Sequence, residues 1–464
     1  MGQLTEPLRQ PLLRRPRVII VGGGFAGLHA ARGLAHLPVD ITLIDRRNHH
    51  TFQPLLYQVA LAVLSPADIA QPIRTILRKH PNTDVLMDEV TAIDVFARTV
   101  ALGSGAQLPY DYLALATGAT HSYFGKDEWA PLAPGLKTIE DATEIRRRVL
   151  LAFELAERQM LEHGWHPPLN FVVIGAGPTG VELAGAISDI AQLYMRRDFR
   201  HIDPAKSRVL LLEGSPRVLG VYPPDLSAKA EAALIRLGVE VHTQTHVTDL
   251  GPGWVEAKSD SGVQRIEAVV TLWAAGVQAS PLGKLLCATP ASSTPVQLDR
   301  RGCVLVDAFL NPPGLPNVFI LGDLAHLEQD GHQVPGVAQP AMQMGDHVGR
   351  IIAADLKGAP RPPFRYFDKG DMATIGRMDA VAKVEWPFKA HISGFPAWLT
   401  WLTVHIFFLI GFRNRVWVLF AWVWTYFTFT RGARLITGDQ RLPGWQDQID
   451  AGQQKSKEGA GQVL

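Results

Sequence analysis

The stretch RVIIVGGGFAG, residues 17–27, decides the fold of this chain. Its apolar start, residues 18–21, is rich in β-branched side chains and predicts a buried parallel strand. The glycines that follow have the spacing G-x-G-x-x-G, which marks a tight turn from a strand into a helix at dinucleotide-binding sites. A helix predicted over residues 26–37 and a second strand over residues 41–44, ending at Asp45, complete one β-α-β unit.

A second stretch of the same kind, FVVIGAGPTG, occupies residues 171–180. It predicts a strand and a helix that runs from about residue 178 to beyond residue 194, followed by a strand over residues 209–212 that ends at Glu213. One such fingerprint is a weak signal, but two in one chain indicate two dinucleotides. Two dinucleotides in one protein most often mean electron transfer between a nicotinamide and a flavin.

The residues of each fingerprint have separate physical roles. The first glycine makes the turn, the second lets a pyrophosphate approach the backbone, and the third lets the helix pack against the strand. Unpaired N–H groups at the helix N-terminus attract the phosphates. The acids that close the two units, Asp45 and Glu213, should accept hydrogen bonds from ribose hydroxyls. Because the Glu213 carboxylate would repel a 2′-phosphate, the second site should prefer NAD(H), although the nearby Arg217 weakens that expectation.

Three later apolar runs end in residues that are typical of nucleotide sites. They are residues 113–116, before Thr117 and Gly118; residues 269–274, before Gly276; and residues 318–321, before Gly322 and Asp323. Long helices are predicted over residues 141–163 and 340–356. The Asp323 carboxylate should reach a hydroxyl group of a flavin. The order of these runs predicts that a complete second nucleotide domain is inserted within the first.

Composition excludes some classes of function. The formal net charge is +1 for 464 residues, which argues against a nucleic-acid partner, because such proteins normally carry a clear basic excess. The two cysteines, Cys287 and Cys303, form no C-x-x-C motif, so we expect neither a redox-active dithiol nor a metal site. They are expected to be buried or incidental thiols, although they could pair. The first 16 residues lack the apolar segment of a secretory signal and are expected to form a loose arm.

Two apolar runs, residues 397–412 and 416–430, lie near the C-terminus and are separated by the sequence RNR. Each is shorter than the roughly 20 residues that a membrane-spanning helix needs. Six of the eleven tryptophans lie between Trp386 and Trp424, and aromatic residues with flanking arginines are typical of helices in a membrane interface. We therefore expect residues 397–434 to anchor the protein in one leaflet. A dimer interface, a buried core and a spanning hairpin remain alternatives.

Several segments of the chain make it resemble the two-dinucleotide-binding flavoproteins and, within them, the type II NADH dehydrogenases, the single-subunit NADH:quinone oxidoreductases. The resemblance covers roughly residues 16–437. The segments that carry it are NHHTFQPLLYQVA at 48–60, GVELAG at 180–185, AQPAMQMG at 338–345, and LIGFRNR at 409–415 together with 426–435. The last two are the most specific, because general flavoprotein reductases do not share them.

The resemblance implies an α/β fold with two Rossmann-like dinucleotide-binding domains, the second inserted in the first, and C-terminal membrane-anchoring helices. We expect an FAD-binding domain in two parts, residues 16–135 and 291–358, with an NADH-binding domain, residues 136–290, between them. A membrane-association domain over residues 363–437 and a disordered tail over residues 439–464 should follow.

The resemblance also implies the residues that bind each cofactor. FAD should contact Gly22, Gly24, Phe25, Ala26, Gly27, Asp45, Val90, Thr117, Gly118, Asp323 and Ala338. NAD(H) should contact Gly175, Gly177, Thr179, Gly180, Glu182, Glu213 and Gly276.

Three further polar residues are expected to take part in catalysis. Gln339 and Gln343 lie four residues apart on one helix face and should border the flavin and the quinone. Their amides either hydrogen-bond the quinone carbonyls or only cap the helix and hold the flavin. Glu182 follows the second fingerprint and is either a gate or proton route between NADH and quinone, or a charge that compensates the helix dipole.

The implied activity is transfer of a hydride from NADH to FAD and of two electrons to a membrane quinone, ubiquinone or menaquinone, without proton pumping. Such a protein would lie on the cytoplasmic face of the inner (plasma) membrane as a peripheral, monotopic member of the respiratory chain. Whether it forms a homodimer is open.

Three alternatives share the fold or the cofactors. A sulfide:quinone reductase would need cysteines near the flavin and no nicotinamide site. A ferredoxin or rubredoxin reductase with a soluble partner would not need the apolar C-terminal segment. A flavoprotein scaffold or NADH sensor without turnover is not excluded by the sequence.

Overall fold

The structure, a computed structural model, describes residues 14–288, 295–428 and 432–461, without the side chains of residues 287, 288, 412, 426 and 455–461. It divides into two compact units. The first contains the chain up to His50, Pro72–Ala119 and Ala279–Phe367, and the second contains Thr51–Gln71, Thr120–Gln278 and the chain from Asp368. The described helices are α1 Phe25–Leu34, α2 Leu56–Ala60, α3 Pro66–Ile69, α4 Ile73–Leu77, α5 Ile139–His163, α6 Pro178–Asp189, α7 Pro224–Arg236, α8 Leu282–Ala288, α9 Ala338–Leu356, α10 Phe395–Phe408, α11 Phe412–Thr428 and α12 Trp445–Gly461.

The first unit is built on a parallel sheet of five strands. In spatial order the strands are Val318–Ile320, Tyr112–Leu115, Arg17–Val21, Asp40–Asp45 and Thr83–Met87. The strand of the first fingerprint is therefore central, and its residues Val18, Ile19 and Ile20 are fully buried, as expected for a parallel sheet that is covered on both faces. An antiparallel sheet adds the strands Val90–Asp94, Thr99–Leu102 and Gln107–Pro109.

Helices α1 and α9 pack closely against each other in this unit because small residues line their contact. A Cβ atom on Gly345 of α9 would lie 2.3 Å from the backbone oxygen of Ala26, and one on Gly349 would lie 2.9 Å from Gly33. Only glycine fits at such a distance. This contact places the start of α9 beside the fingerprint helix.

The second unit has its own parallel sheet around the second fingerprint. The strands are Val239–His242, Arg208–Leu212, Asn170–Ile174 and Val270–Trp273, in that spatial order. Two antiparallel sheets accompany it: His246–Gly251, Trp254–Ser259 and Gly262–Glu267; and Gly370–Thr374, Ala380–Val384 and Ala390–Ser393.

The remaining strands of the described chain are short. Two pairs lie within the first unit, Val304–Leu305 with Ala325–His326 and Glu328–Gln329 with His332–Gln333. Four more, near the points where the chain leaves one unit for the other, are His49–Thr51, Ala70–Pro72, Ala119–His121 and Val277–Ala279.

The predicted strands and helices around both fingerprints are confirmed, with shifted ends. The helix predicted over residues 26–37 is α1 and already ends at Leu34. The helix predicted to pass residue 194 is α6 up to Asp189, continued by a π-helical turn over Ile190–Tyr194. Helix α5 begins two residues before the prediction because Thr138 and Asp141 form a capping box at its N-terminus.

The prediction of disorder after residue 439 is wrong for Trp445–Gly461, which form α12. The helix is held by tertiary contacts: Trp445 and Ile449, four residues apart, are buried. The side-chain amide of Gln448 donates hydrogen bonds to the carbonyls of Gly253 and Ala268 at 2.8 and 3.2 Å. These partners are distant in sequence, so the polar composition of the segment gave no sign of them.

The two apolar C-terminal runs form α10 and α11. In the part of the chain that the structure describes, neither these helices nor any other combines the length and apolarity needed to cross a bilayer.

Candidate functional site

The first fingerprint forms a turn that only glycine can make. Gly22 has a φ of +105°, and a Cβ atom on it would lie 2.4 Å from the carbonyl oxygen of Ala116. A Cβ atom on Gly27 would lie 1.8 Å from the oxygen of Gly22. The strand and α1 can therefore approach each other only because both side chains are missing.

Gly24 differs from its two neighbours in the fingerprint. It precedes α1 with an extended backbone, φ −73° and ψ −165°, a conformation that any residue can adopt. Among the described residues, nothing lies within 4 Å of the position that its Cβ atom would take. The absent side chain thus leaves open space at the N-terminus of α1, where a pyrophosphate would meet unpaired N–H groups.

Asp45 binds the fingerprint loop directly. Its Oδ2 accepts a hydrogen bond from the backbone N–H of Gly23 at 2.6 Å, and its Oδ1 accepts one from the N–H of Arg47 at 2.8 Å. A carboxylate has about four acceptor positions, so capacity for a ribose hydroxyl remains. Asp45 therefore shapes the loop in addition to its predicted role.

The structure brings several predicted FAD contacts together in the first unit. A Cβ atom on Gly22 would lie 3.2 Å from the N atom of Thr117, and one on Gly322, which precedes Asp323, would lie 3.6 Å from the Cβ of Ala26. Ala338 is the first residue of α9, and Phe25 is the first residue of α1. Gly118, with φ +65°, follows Thr117 and accepts a hydrogen bond from the N–H of Ser280 at 3.0 Å.

Two of the predicted FAD contacts lie in enclosed positions. Val90 is buried at the start of an antiparallel strand, where it pairs with Leu102. The hydroxyl oxygen of Thr117 is buried and has no hydrogen-bond partner among the described residues.

His50 supports the first fingerprint, although the sequence gave it no catalytic role. Its ring packs edge-on against Phe25, with 5.0 Å between the ring centroids, and its Nδ1 donates a hydrogen bond to the carbonyl of Gly23 at 3.0 Å. Burial lowers the pKa of His50 to about 4, so the ring is neutral at physiological pH and braces the loop without adding charge.

The second fingerprint repeats the geometry of the first. Gly175 has a φ of +97°, and a Cβ atom on it would lie 2.7 Å from the N atom of Ala275. One on Gly180 would lie 1.8 Å from the oxygen of Gly175, whereas the Cβ position of Gly177 has nothing within 4 Å. Thr179 lies on the first turn of α6. The second unit therefore has the same open space at a helix N-terminus.

Glu213 occupies the same position in its unit as Asp45 does in the other. Its Oε2 accepts a hydrogen bond from the N–H of Ala176 at 2.6 Å, and its Oε1 accepts one from the N–H of Ser215 at 2.7 Å. Arg217, the residue that weakens the preference for NAD(H), donates instead to the carbonyl of Gly220 in its own loop at 3.0 Å. The ring of Phe124 lies over Gly276, where a Cβ atom would be 2.6 Å from its Cζ.

Glu182 lies on α6 and is partly buried. Burial raises the pKa of Glu182 to about 8, and the backbone of Thr374 acts in the opposite direction. The pKa of the buried Tyr222 is also raised, by burial and by the charges of Asp371 and Glu182. At neutral pH the Glu182 side chain is therefore mostly protonated.

The Glu182→Gln variant should differ from the wild type in how its stability depends on pH. Because the pKa is raised on folding, from an ordinary 4.5 to about 8, the folded state binds the proton more tightly, and the stability that this contributes is lost as pH rises towards 8. We expect equal stabilities near about pH 5 and a variant more stable by about 1–3 kcal/mol near about pH 9, measured by urea unfolding. Replacing the exposed Glu154 with glutamine is the matched control and should not change the difference. A variant that is relatively less stable at high pH would contradict the raised pKa.

Gln343 is held by the backbone of the first unit. Its Nε2 donates to the carbonyl of Phe367 at 3.0 Å, and its Oε1 accepts from the N–H of the same residue at 2.9 Å. This two-way pairing leaves one N–H of the amide for another acceptor. Gln339 lies one turn earlier on α9 and is partly buried.

The segment 48–60 contains two buried polar residues, Tyr57 and Gln58, for which the sequence predicted no function. Gln58 and Tyr57 are buried on α2 and hydrogen-bond each other, with 3.0 Å between Nε2 and the hydroxyl oxygen. Arg146 of α5 donates to the carbonyls of Val59 and Leu64, at 2.8 and 2.9 Å. The available signal was the placement of two polar side chains within the apolar run LLYQVA.

The comparisons with known proteins agree with this geometry. Residues 16–345 match the family of pyridine nucleotide-disulphide oxidoreductases. The type II NADH:quinone oxidoreductase Ndh of Mycobacterium tuberculosis is 47% identical over 447 residues, which are 95% of this chain and 94% of the relative. The type II NADH:quinone oxidoreductase NdhA of the same organism is 46% identical and covers 91% of this chain and 90% of the relative.

Solved structures show the same fold at lower identity. NDH2 from Plasmodium falciparum in complex with NADH is 19% identical, with a TM-score of 0.80, and the match covers 92% of this chain and all of that one. The sulfide:quinone oxidoreductase of Aquifex aeolicus is 20% identical, with a TM-score of 0.65 over 89% of this chain and 95% of that one. The family match and the two relatives above show that the chain belongs to the pyridine nucleotide-disulphide oxidoreductase family and, within it, to the type II NADH:quinone oxidoreductases.

Proposed function

We propose that this protein is an FAD-dependent oxidoreductase that oxidises NADH and reduces a membrane quinone. The observation that carries the proposal is the pair of matching glycine turns, one in each unit, in a chain that is 47% identical along 95% of its length to a type II NADH:quinone oxidoreductase. Each turn leaves open space at a helix N-terminus and has a carboxylate bound to its loop. Two dinucleotides, FAD and NAD(H), fit these two turns.

The first unit holds FAD in this proposal. Gly22 and Gly27 shape the turn, Gly24 leaves space for the pyrophosphate, and Asp45 holds the loop and faces the ribose. Thr117 lies beside the same turn, and Gly322, which precedes Asp323, lies beside Ala26 of α1 and Ala341 of α9. Bound FAD supplies the ability to accept a hydride and to release electrons, which no side chain of the chain has.

The second unit holds NADH, with Gly177 and Glu213 in the corresponding roles. The negative charge of Glu213 favours NADH, because the additional phosphate of NADPH would meet it. Glu182, which is mostly protonated at neutral pH, is the residue that we assign to hold a proton for quinone reduction. In the first unit, Gln339 is our proposed quinone contact, whereas Gln343 supports the backbone at Phe367.

The test of the proposed function is an assay with the purified protein and FAD. NADH and a short-chain quinone are mixed with the enzyme, and the absorbance of NADH is followed. We expect oxidation that depends on the quinone, and none when sulfide replaces NADH as the donor. NADH that stays reduced in the presence of the quinone would contradict the proposal, and quinone reduction by sulfide would favour the sulfide:quinone alternative.

We further propose that helices α10 and α11 lie on the surface of a membrane and that the protein binds the quinone there. They bury one face within the second unit, where Trp401 is 2% exposed and Trp422 is 9% exposed. The opposite face is apolar and open to solvent, and its residues include Phe407, Trp417, Phe420, Trp424 and Phe427, all more than half exposed. An exposed apolar patch of this size marks an interaction surface.

Cationic side chains lie beside this aromatic face. The guanidinium of Arg415 is 6.0 Å from the centre of the Phe407 ring, and the ammonium of Lys369 is 5.9 Å from that of Phe408. Aromatic side chains with adjacent cations suit an interface with anionic lipid headgroups. We therefore propose peripheral attachment to the cytoplasmic leaflet, where a lipophilic quinone is dissolved.

The triple variant Trp417→Ser, Phe420→Ser, Trp424→Ser should lose binding to vesicles of anionic phospholipid. Removal of three exposed aromatic side chains is expected to weaken partitioning by about 100-fold or more, as measured by co-sedimentation. Substitution suits this test better than truncation after Pro396, which would also remove the buried Trp401 and Trp422. Phe96→Ser, at an exposed position in the first unit, is the matched control. Unchanged sedimentation would refute the attachment, and a change from dimer to monomer without it would identify the face as a subunit interface.

A further inference from the structure

An aromatic ring stands open to solvent beside the turn of the second fingerprint. It belongs to Phe124, which is 71% exposed. The tip of the ring points at Gly276, where a Cβ atom would lie 2.6 Å from Cζ and 3.1 Å from both Cε atoms. The ring also meets that of Trp273 edge-on, with 6.1 Å between the centroids. Phe124 therefore has a defined position, although most of its surface is uncovered.

The backbone holds Phe124 in this position in spite of a conformational cost. Its φ of +52° lies in the left-handed region, which is uncommon for a bulky side chain. The N–H of Phe124 donates to the Oγ of Ser122 at 3.4 Å, and the carbonyl of Ser122 accepts from the indole N–H of Trp273 at 2.9 Å. The neighbouring ring of Tyr123 is buried, and its hydroxyl donates to the carbonyl of Ala133 at 2.9 Å. Strained residues of this kind cluster at ligand-binding sites.

The sheet of the second unit determines how a dinucleotide would lie on it. The fingerprint strand Asn170–Ile174 has the strand Arg208–Leu212 on one side and the strand Val270–Trp273 on the other, and the register shows that all three end level. In folds of this kind the dinucleotide lies across the carboxyl ends of the strands. One mononucleotide half therefore falls on each side of the fingerprint strand.

The residues at the two sides show which half is which. Glu213, the proposed partner of the adenosine ribose, directly follows the strand Arg208–Leu212. Gly276 follows the strand on the opposite side, and the ring of Phe124 lies over it. The uncovered ring is therefore on the side of the nicotinamide half. Aromatic side chains and planar nitrogen heterocycles stabilise each other by ring contact.

We propose that Phe124 forms one wall of the nicotinamide pocket of the second unit and packs its uncovered surface against the nicotinamide riboside half of NADH. This role rests on the proposed binding of NADH by the second unit and adds a residue that lies outside the glycine fingerprint. Because Trp273 and Gly276 already fix the ring, little side-chain freedom is lost when NADH binds.

The test compares two ligands that differ in the nicotinamide group. NAD⁺ and ADP-ribose share the adenosine and both phosphates, and neither reduces flavin, so their binding to the FAD-loaded, resting protein can be measured by calorimetry. We expect Phe124→Ala to bind NAD⁺ about tenfold more weakly and to bind ADP-ribose as the wild type does. Phe124→Tyr, which keeps the ring, should bind both ligands like the wild type.

The matched control is Phe96→Ala, because Phe96 is a similarly exposed phenylalanine of the first unit. It should bind both ligands like the wild type. Thermal unfolding verifies that each variant is folded, and since Phe124 is mostly exposed, its replacement should leave the melting temperature close to that of the wild type.

Three results would overturn the role of Phe124 and leave the proposed function intact. Equal binding of NAD⁺ by the wild type and Phe124→Ala would show that the ring does not contact the ligand. An equal loss of both ligands would show that it only orders the loop, and tighter binding of NAD⁺ by the variant would show that it obstructs the pocket. A wild type that binds neither ligand would overturn the proposed NADH site itself, and the role of Phe124 with it.

Discussion

Replacing Gly24 with valine should give a folded protein that purifies without FAD. The backbone of Gly24 is extended, and its Cβ position has nothing within 4 Å, so valine can be accommodated without strain. Its side chain would occupy the space where the pyrophosphate must approach the N-terminus of α1. We expect FAD affinity to fall by about 100-fold or more, measured by the flavin absorbance of the purified protein and by titration with FAD.

A control separates this effect from misfolding. In Gly27→Ala the new Cβ atom would lie 1.8 Å from the oxygen of Gly22, so the strand and α1 must move apart. That variant should unfold at a lower temperature than the wild type, whereas Gly24→Val should keep a melting temperature close to that of the FAD-free wild type. A Gly24→Val protein that is fully loaded with flavin would show that the open space is not the cofactor site.

Replacing Gly177 with valine should affect the other cofactor. The protein should keep its FAD and lose the ability to oxidise NADH. Gly177 precedes α6 with φ −70° and ψ −178°, again extended, and again nothing lies within 4 Å of its Cβ position. We expect kcat/KM for NADH to fall by about 100-fold or more, with unchanged flavin content. NADH binding to the FAD-loaded enzyme is measured by steady-state kinetics and by fluorescence titration.

The two valine variants are matched controls for each other, because the substitution and the local backbone are the same. If Gly177→Val lost flavin and Gly24→Val kept it, the assignment of cofactors to the two units would be reversed. If both lost both cofactors, the two turns would not be independent sites.

The sequence predicted both glycine turns because a fingerprint is local. Strand, turn, helix and closing acid lie within a few dozen residues, and each glycine has a steric reason that can be read from its spacing. The carboxylates of Asp45 and Glu213 were expected to face ribose hydroxyls, and this assignment remains a prediction. Their hydrogen bonds to the N–H groups of Gly23 and Ala176 were not foreseen, because they depend on the exact path of each loop.

Features that depend on distant contacts were not predictable from local sequence. Helix α12 is stabilised by the burial of Trp445 and Ile449 and by the hydrogen bond from Gln448 to the carbonyl of Gly253. The polar composition of this segment therefore led to the wrong prediction of disorder. The prediction that Gln343 borders the quinone stays a prediction, and the pairing of its amide with Phe367, 24 residues away, was not foreseen. The bond between Trp422 and Gln58 joins residues 364 positions apart, a separation at which no periodic pattern gives a signal.

The hydrogen bonds of Glu213 limit how coenzyme preference can be altered. A single change to a small neutral residue would remove the negative charge, but it would also leave the N–H groups of Ala176 and Ser215 without their acceptors. The loop that we propose receives NADH would then lose both the hydrogen bonds that order it and its selectivity. Even glutamine at position 213 would keep only one acceptor oxygen for these two N–H groups, because its NH2 group donates. Conversion to NADPH therefore calls for a change in the loop at position 213 and a cation elsewhere for the additional phosphate, so adaptation along this route must pass through at least two coordinated substitutions.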